Sequence, residues 1–297
     1  MKKIFITLLL LTGIMNLVAC TNQKSAQTHK QIKVVSSLDF YAEPAAKILG
    51  QYGQVTSLIN SASVDPHDYT ATTNDAKITA KADVAIMNGA GYDAWLQKLV
   101  VSNNQQAKLV NVATDIRHLP DGENEHLWYD YANMIKVTQY LTTTFSKIKP
   151  AQKQIFARNS AVYIKQLKKL QAQENQLKTD FAGKSVMVTE PVFNYVLTNL
   201  GVKIVNENFA QDIDEGADPQ PAELQKMTNQ LKNRQVAFLV VNRQVESSLI
   251  SQLIKTAKKA QVPIVYVTET MPKGKTYLTW MHDELQQLKK IAEGSNS

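Results

Sequence analysis

Eight short runs rich in apolar and β-branched residues alternate with stretches of helical spacing along most of the chain. The runs are IKVVSS, QVTSLI, ADVAIMNG and KLVNV in the first half, and KSVMVTE, VKIVN, VAFLVVN and PIVYVTE in the second. Strands that alternate with helices form parallel sheets, because each helix crosses the sheet and returns the chain in the same direction. The sequence therefore predicts an α/β protein with two similar lobes, each built on a mainly parallel four-stranded sheet.

A long amphipathic helix is predicted between the two groups of strands, within residues 151–181. Its apolar side chains recur at steps of three, four and seven and form one stripe: Phe156, Tyr163, Leu167, Leu170, Leu177 and Phe181. A helix of roughly eight turns is about 45 Å long, enough to run along both lobes as a rigid link. A coiled-coil arm is the alternative, although the stripe lasts only about four heptads. We therefore predict an N-terminal lobe over 32–149, a linking helix over 150–182 and a C-terminal lobe over 183–297.

The first nineteen residues are predicted to be an export signal and not part of the fold. Two lysines precede the almost wholly apolar stretch 4–19, which is shorter than the ~20 residues of a membrane-spanning helix. The stretch ends in Leu-Val-Ala-Cys, and Cys20 is the only cysteine of the chain. This tetrapeptide resembles a bacterial lipobox, which implies cleavage before Cys20 and attachment of lipid, palmitate included, to that residue. The alternative is an ordinary signal with an incidental cysteine. Residues 20–31 are polar and are predicted to be a flexible tether.

The charge and the motifs of the chain argue against a nucleic-acid-binding protein and against a compact hydrolytic site. Lys and Arg outnumber Asp and Glu by 33 to 26, but the lysines are spread along helical faces without interleaved aromatic residues, so a nucleic-acid groove is not expected. No HExxH pattern and no serine or cysteine nucleophile motif is present in the sequence. A compact hydrolytic site is therefore not predicted.

Polar side chains follow four of the predicted strands. His67 and His126 lie in loops after strands of the first half, whereas Glu190 and Glu269 come directly after strands of the second half. In open parallel sheets, ligands bind beyond the carboxyl ends of the strands, so these four side chains can meet in a cleft between the lobes. A dication bound by two neutral imidazoles and two carboxylates forms a nearly neutral complex, and these nitrogen and oxygen donors suit Zn²⁺ or Mn²⁺.

Each of these side chains also has an ordinary structural explanation. His67 can be an exposed turn residue, Glu190 can serve the dipole of a following helix, and Glu269 can be a loop carboxylate in water. In the stretch ENEHLWYDY, Asn124 can cap a helix that begins near Glu125, which would leave the histidine as a polar residue of a first turn. The spacing of the four residues is not a local metal motif, so spacing alone leaves both interpretations open.

Several motifs resemble those of one protein family over residues 32–291. The stretches DPHDY, NEHLWYD and VTEPVFNYVLTNLGV, together with NGAGYDAWLQKLV and DEGADPQPAEL, resemble landmarks of the substrate-binding lipoproteins of bacterial zinc and manganese ABC transporters. The chain lacks the prolines that usually follow the first motif, and Glu125 stands where the family commonly has Pro. The resemblance implies a metal in the cleft, with His67, His126 and Glu190 as ligands, and no catalytic activity.

The fourth ligand departs from the family pattern. The family usually has an Asp just before the final helix, whereas GKTYLTWM places Lys275 there, and a protonated lysine cannot bind a metal. Either Glu269 or water then fills the fourth place. We favour Glu269 and expect Lys275 to point away from the metal. Asp68 and Asp130 are expected to accept the free ring N–H of the ligating histidines.

The function implied by the resemblance is metal capture outside the cytoplasm. The expected protein is a monomeric lipoprotein, held on the extracytoplasmic face of the cell membrane by lipid at Cys20, that passes a divalent metal to a membrane permease and its ATPase. Zn²⁺ is favoured, with Mn²⁺ as the alternative. Two other functions stay open: a surface adhesin with a structural metal, and a metal-dependent hydrolase with an open coordination position.

We predict that Cys20→Ser releases the protein from the membrane fraction into the soluble fraction. The predicted lipid is the only membrane attachment that the sequence offers, and stable anchoring takes at least two acyl chains. Membrane fractionation of cells that express either form provides the measurement. A Cys20→Ser variant that stays in the membrane fraction would rule out the predicted anchor.

Overall fold

All eight predicted strands form, and they pair into two four-stranded sheets. The structure, a computed structural model, describes residues 30–61, 64, 66, 69–120, 122–245 and 247–295. The strands are β1 Ile32–Leu38, β2 Gly53–Ile59, β3 Val84–Met87, β4 Lys108–Asn111, β5 Ser185–Val188, β6 Lys203–Ile204, β7 Leu239–Asn242 and β8 Ile264–Val267. The sheet orders are β2-β1-β3-β4 and β6-β5-β7-β8, and every strand pair is parallel. The predicted α/β fold with two similar lobes is thus confirmed.

Ten α-helices connect and cover the sheets in the described part of the chain. They are α1 Asp39–Leu49, α2 Thr73–Thr79, α3 Ala94–Asn103, α4 Tyr131–Ile148, α5 Lys153–Phe181, α6 Asn194–Leu200, α7 Glu207–Asp214, α8 Pro221–Lys232, α9 Ser248–Ala260 and α10 Tyr277–Ser295. Strands β3 and β7 are buried along their whole length, as expected for parallel strands that are covered on both faces. Within the described residues, no helix has the length and apolarity that a membrane crossing would need.

The predicted long helix is present as α5, which has 29 residues. It packs against α1 and α4 on the side of the first sheet and against α6 and α10 on the side of the second. All six residues of its predicted apolar stripe are buried, and they belong to one hydrophobic core that also includes residues of both sheets. The helix therefore joins the lobes through shared packing and is not a projecting coiled-coil arm.

Besides α5, a group of aromatic side chains joins the two lobes; we call it the interlobe aromatic cluster. Its members are Phe40, Trp128 and Tyr129 of the first lobe, and Phe193 and Trp280 of the second. The Phe40 and Trp128 ring centroids are 4.5 Å apart, and those of Tyr129 are 5.1 Å from Phe193 and 5.7 Å from Trp280. The Tyr129 hydroxyl also donates a 2.7 Å hydrogen bond to the carbonyl oxygen of Thr268, just after β8. These contacts fix the loops of the two lobes against each other.

A buried carboxylate on α10 holds the loop that follows β8. Glu284 is 4 % exposed, and its Oε1 accepts hydrogen bonds from the Trp280 indole at 2.8 Å and from the backbone N–H of Thr268 at 3.2 Å. Burial away from water disfavours the charged form and raises the pKa of Glu284 from 4.5 to about 8. Glu284 therefore carries its proton in the folded protein at pH values where it is ionised in the unfolded chain.

Glu284→Gln should change how stability depends on pH. Because the folded-state pKa is raised, Glu284 stabilises the fold fully below pH 4.5, and this contribution is lost as the pH rises through about 8. A pKa difference of one unit corresponds to about 1.4 kcal/mol. We therefore expect the wild type to lose more than about 1.4 kcal/mol relative to Glu284→Gln between about pH 5 and about pH 8.

Urea unfolding of both proteins without metal, at a series of pH values, measures this difference. Glu293→Gln is the matched control, because it removes an exposed carboxylate from the same helix. If the curves of the wild type and Glu284→Gln run parallel across this range, Glu284 is not the titrating group.

Candidate metal centre

A cleft of about 690 Å³ opens where loops from the carboxyl ends of both sheets face each other. The first lobe contributes the loops after β3 and β4, and the second contributes the loops after β5 and β7 and the end of α7. Five of the described lining residues are carboxylates, and no described lining residue is Lys or Arg. These are Glu123, Glu125, Glu190, Asp214 and Glu215. Because like charges focus a negative potential in a cleft, this arrangement attracts cations.

His126 is fully buried, and its ring is held by Asn124. The Oδ1 atom of Asn124 accepts a hydrogen bond from the backbone N–H of His126 at 2.9 Å and lies 3.0 Å from its Nδ1. The Asn124 amide donates to the carbonyl oxygen of Pro191 at 3.0 Å, which fixes Oδ1 as the acceptor. Nδ1 therefore carries a ring proton, so Nε2 is the nitrogen that would bind a metal. A neutral imidazole with one nitrogen held in this way is the form that binds metals.

The ordinary explanation of this stretch, a helix that begins near Glu125, does not hold, because α4 begins at Tyr131. Leu127–Tyr129 forms a separate 3₁₀ turn, and the side chain of Asn124 does not cap α4. Asp130 caps α4: its Oδ1 accepts from the backbone N–H of Ala132 at 2.9 Å and of Asn133 at 3.2 Å. Asp130 has extended backbone dihedrals suited to this position. The stretch thus offers two capping residues, and the second one, Asp130, caps the helix.

The carboxylate of Asp130 contacts groups other than the imidazole that it was expected to support. Its Oδ2 accepts a hydrogen bond from Arg117 at 2.8 Å, while its Oδ1 caps α4. The partner at Nδ1 of His126 is Asn124. An amide oxygen holds this tautomer as a carboxylate would, but it adds no negative charge beside the ring.

Glu190 lies at the end of β5 and is 7 % exposed. Its Oε2 accepts a 2.7 Å hydrogen bond from the side-chain amide of Asn242, the last residue of β7. No side-chain cap joins Glu190 to the following turn Pro191–Phe193. The carboxylate is therefore oriented by the neighbouring strand end, and helix capping does not explain it.

Glu269 follows β8, and a side chain of the other lobe holds it. Its Oε1 accepts a 2.8 Å hydrogen bond from the hydroxyl of Tyr92, and its backbone N–H donates to Gln244 Oε1 at 2.6 Å. The Tyr92 ring centroid lies 6.4 Å from that of His126. Burial, and then the charge of Glu269, raise the pKa of Tyr92 well above its ordinary value, so its hydroxyl stays a donor. Neither Glu269 nor His126 is among the described residues that line the cleft.

One carboxylate that the sequence did not single out lies beside His126. One ligand atom each of Glu125, His126 and Asp214 lies within 4.8 Å of the others, a grouping that can hold a metal ion. Asp214 is the last residue of α7 and the first residue of the stretch DEGADPQPAEL. That stretch indicated the family, but nothing in its pattern indicated that its first residue would reach the cleft.

The remaining predicted positions lie elsewhere or outside the described residues. Lys275 pairs with Asp283, with 2.6 Å between Nζ and Oδ2, and is not among the described lining residues of the cleft. His118 is exposed, with Nδ1 3.1 Å from the carbonyl oxygen of Thr114, and Nδ1 of His282 lies 3.1 Å from Gln173 Oε1. Cys20, His67 and Asp68 lie outside the described residues.

Comparison with known proteins gives consistent matches across the chain. A family profile described as ZnuA, zinc-uptake complex component A, periplasmic, matches residues 34–291. The zinc-binding lipoprotein AdcA of Streptococcus pneumoniae is 26% identical over 99% of this chain, although the chain spans only 62% of that relative. The manganese ABC transporter substrate-binding lipoprotein PsaA of Streptococcus anginosus is 26% identical, with 99% of both chains covered.

A solved structure has the same fold. The periplasmic zinc-binding protein TroA of Treponema pallidum superposes with a TM-score of 0.72 at 15% identity, covering 88% of this chain and 99% of TroA. The profile match includes nearly all of both sheets, the long helix and the cleft residues. The chain therefore belongs to the ZnuA family, a family of solute-binding proteins and not of enzymes.

Proposed function

We propose that this protein captures a divalent transition metal in the interlobe cleft and delivers it to the permease and ATPase of a metal ABC transporter. One observation carries the proposal. His126 is a buried imidazole whose Nδ1 is held by Asn124, and it lies beside a cleft whose charged lining residues, among those described, are all carboxylates. A borderline nitrogen donor with several oxygen donors suits Zn²⁺ and Mn²⁺. The names of the relatives, which include a zinc-binding and a manganese transporter lipoprotein, support the same substrate class.

The proposed ligands come from both lobes. His67 and His126 are the imidazoles of the first lobe, and Glu190 is the carboxylate of the second. Asn124 fixes the ring of His126, and Asn242 fixes Glu190, so two donors are oriented before metal arrives. Glu269 is the fourth donor that the sequence predicts, with water as the alternative, and Asp68 is the expected support of His67. Preorganised donors lose little conformational entropy on binding, which favours tight capture of a dilute ion.

Zn²⁺ is the favoured cargo, and Mn²⁺ is the alternative. The general affinity order places Zn²⁺ above Mn²⁺ at a site of nitrogen and oxygen donors, whereas a larger share of carboxylates suits Mn²⁺. Relatives at the same 26% identity are named for each metal, so similarity does not separate them.

The location and partners follow from the proposed role. A lipid at Cys20 would hold the receptor on the outer face of the cell membrane, with residues 20–31 as its tether and residues 32–149 and 183–297 as its lobes. The relatives are named as lipoproteins, which supports this anchor. A monomer is sufficient, because both lobes of a single chain provide the donors. The permease would receive the ion, and the ATPase would drive its passage.

His126→Ala should weaken Zn²⁺ binding at least about tenfold, which corresponds to about 1.4 kcal/mol. The variant removes the only histidine that, among the described residues, belongs to the possible metal grouping. Isothermal titration calorimetry with Zn²⁺, in competition with a chelator of known affinity, measures the change.

His118→Ala is the matched control, because it removes an exposed histidine that lies apart from the cleft, and it should bind Zn²⁺ like the wild type. The wild type should also melt at a higher temperature with Zn²⁺, since the ion binds the folded state. Wild-type Zn²⁺ affinity in His126→Ala would contradict the proposed site.

A further inference from the structure

We infer that Asp214, assisted by Glu125, is the carboxylate that completes the metal sphere in the place predicted for Glu269. The inference rests on the proposed function, because it names a donor for the same ion. Its first basis is distance. The ligand atoms of Glu125, His126 and Asp214 all lie within 4.8 Å of one another. Donors around one tetrahedral Zn²⁺, at bonds of about 2.0–2.2 Å, lie roughly 3.3–3.6 Å apart. Rotation of two carboxylate side chains can provide the difference.

The second basis is the position of the competing carboxylates. Asp214 and Glu125 belong with His126 to the grouping that can hold a metal ion, whereas Glu269 does not belong to it. Glu269 accepts the hydrogen bond of the Tyr92 hydroxyl, and Gln244 holds its backbone. Those contacts give Glu269 a different task, because they tie the loop after β8 to the first lobe. The fourth ligand, a carboxylate, thus comes from the end of helix α7 and not from the loop after β8.

The third basis is an electrostatic conflict at the end of α7. Asp212 and Asp214 lie in the last turn of this eight-residue helix, Glu215 follows them, and the last turn has no basic residue. The C-terminus of a helix is its negative end, where an acidic side chain costs about 0.3–1 kcal/mol. Sequences that break such a local rule often do so at a functional site. A dication bound by Asp214 would turn this unfavourable placement into a favourable one.

Glu125 is placed to act together with Asp214. Its carbonyl oxygen accepts a 2.9 Å hydrogen bond from Asn88, the residue after β3, so its backbone is fixed beside His126. The side chain can therefore add a second oxygen from the first lobe, opposite the oxygen that Asp214 brings from the second. Additional oxygen donors suit Mn²⁺ more than Zn²⁺. Glu125 is thus the side chain that should most affect the choice between the two ions.

The test compares the full-length protein with Asp214→Asn, Glu125→Gln, Glu269→Gln and Asp212→Asn, titrated with Zn²⁺ alone and with Mn²⁺ alone. Asp212→Asn is the matched control: it removes a carboxylate from the same last turn of α7, but one that is not among the described lining residues of the cleft. We expect Asp214→Asn to weaken both ions at least about tenfold, and the Asp212→Asn affinity to stay within about twofold of the wild type. Glu125→Gln should weaken Mn²⁺ more than Zn²⁺.

Thermal melting with and without metal distinguishes a metal ligand from a residue that only stabilises the fold. Without metal, Asp214→Asn should melt at the same temperature as the wild type or higher, because a negative charge leaves the C-terminus of α7. With Zn²⁺, it should gain less in melting temperature than the wild type does. A lower melting temperature without metal, together with an unchanged gain from Zn²⁺, would overturn the inference.

The outcomes separate this inference from the proposed function. If the wild type binds neither ion, the proposed function fails, and the inference fails with it. If the wild type binds Zn²⁺ and His126→Ala loses it, the function stands. In that case, wild-type affinity in Asp214→Asn combined with loss in Glu269→Gln would overturn the inference alone and restore Glu269 as the fourth ligand.

Discussion

The side chain and carbonyl of Asn124 couple the orientation of His126 to the contact between the lobes. Its Oδ1 holds the backbone N–H and ring of His126, and its amide donates to Pro191 at 3.0 Å. Its carbonyl oxygen accepts a 2.7 Å hydrogen bond from the hydroxyl of Tyr195 in the second lobe. The imidazole therefore has one tautomer and one direction only while the lobes stay in this arrangement. The long helix α5 and the interlobe aromatic cluster maintain that arrangement from below the cleft.

The cleft gathers negative charge that the described lining residues do not neutralise. Carboxylates that lie close together near a protein surface repel one another when they are ionised, because water screens their charges only partly. The shared core on both sides of α5 provides the packing that tolerates this repulsion. A bound dication would remove it, so the fold stores part of the driving force for metal capture. The amide side chains of Asn242 and Asn124 orient Glu190 and His126 without adding a positive charge that would repel a metal ion.

The sequence predicts the fold closely, because each strand and the stripe of α5 follow periodic apolar patterns. It also predicts that Glu190 lies at the cleft, since a residue that follows a parallel strand lies at the carboxyl edge of the sheet. Asp214 could not be found in this way: it reaches the cleft from the end of a short helix, and no periodicity marks that contact. The start of α4 could not be placed from the sequence, because Asn124 and Asp130 are both good capping residues. Only tertiary contacts, with Pro191 and with the backbone of α4, assign the two roles.

The central claim is that one metal ion is held between Nε2 of His126 and carboxylates of the second lobe. Anomalous diffraction at the zinc absorption edge, from crystals of the Zn²⁺-loaded protein, tests it most directly. We expect one strong peak in the cleft, about 2.0–2.1 Å from Nε2 of His126 and within bonding distance of a carboxylate oxygen of the second lobe. A peak bound through Nδ1 of His126, or one that lies outside the cleft, would contradict it.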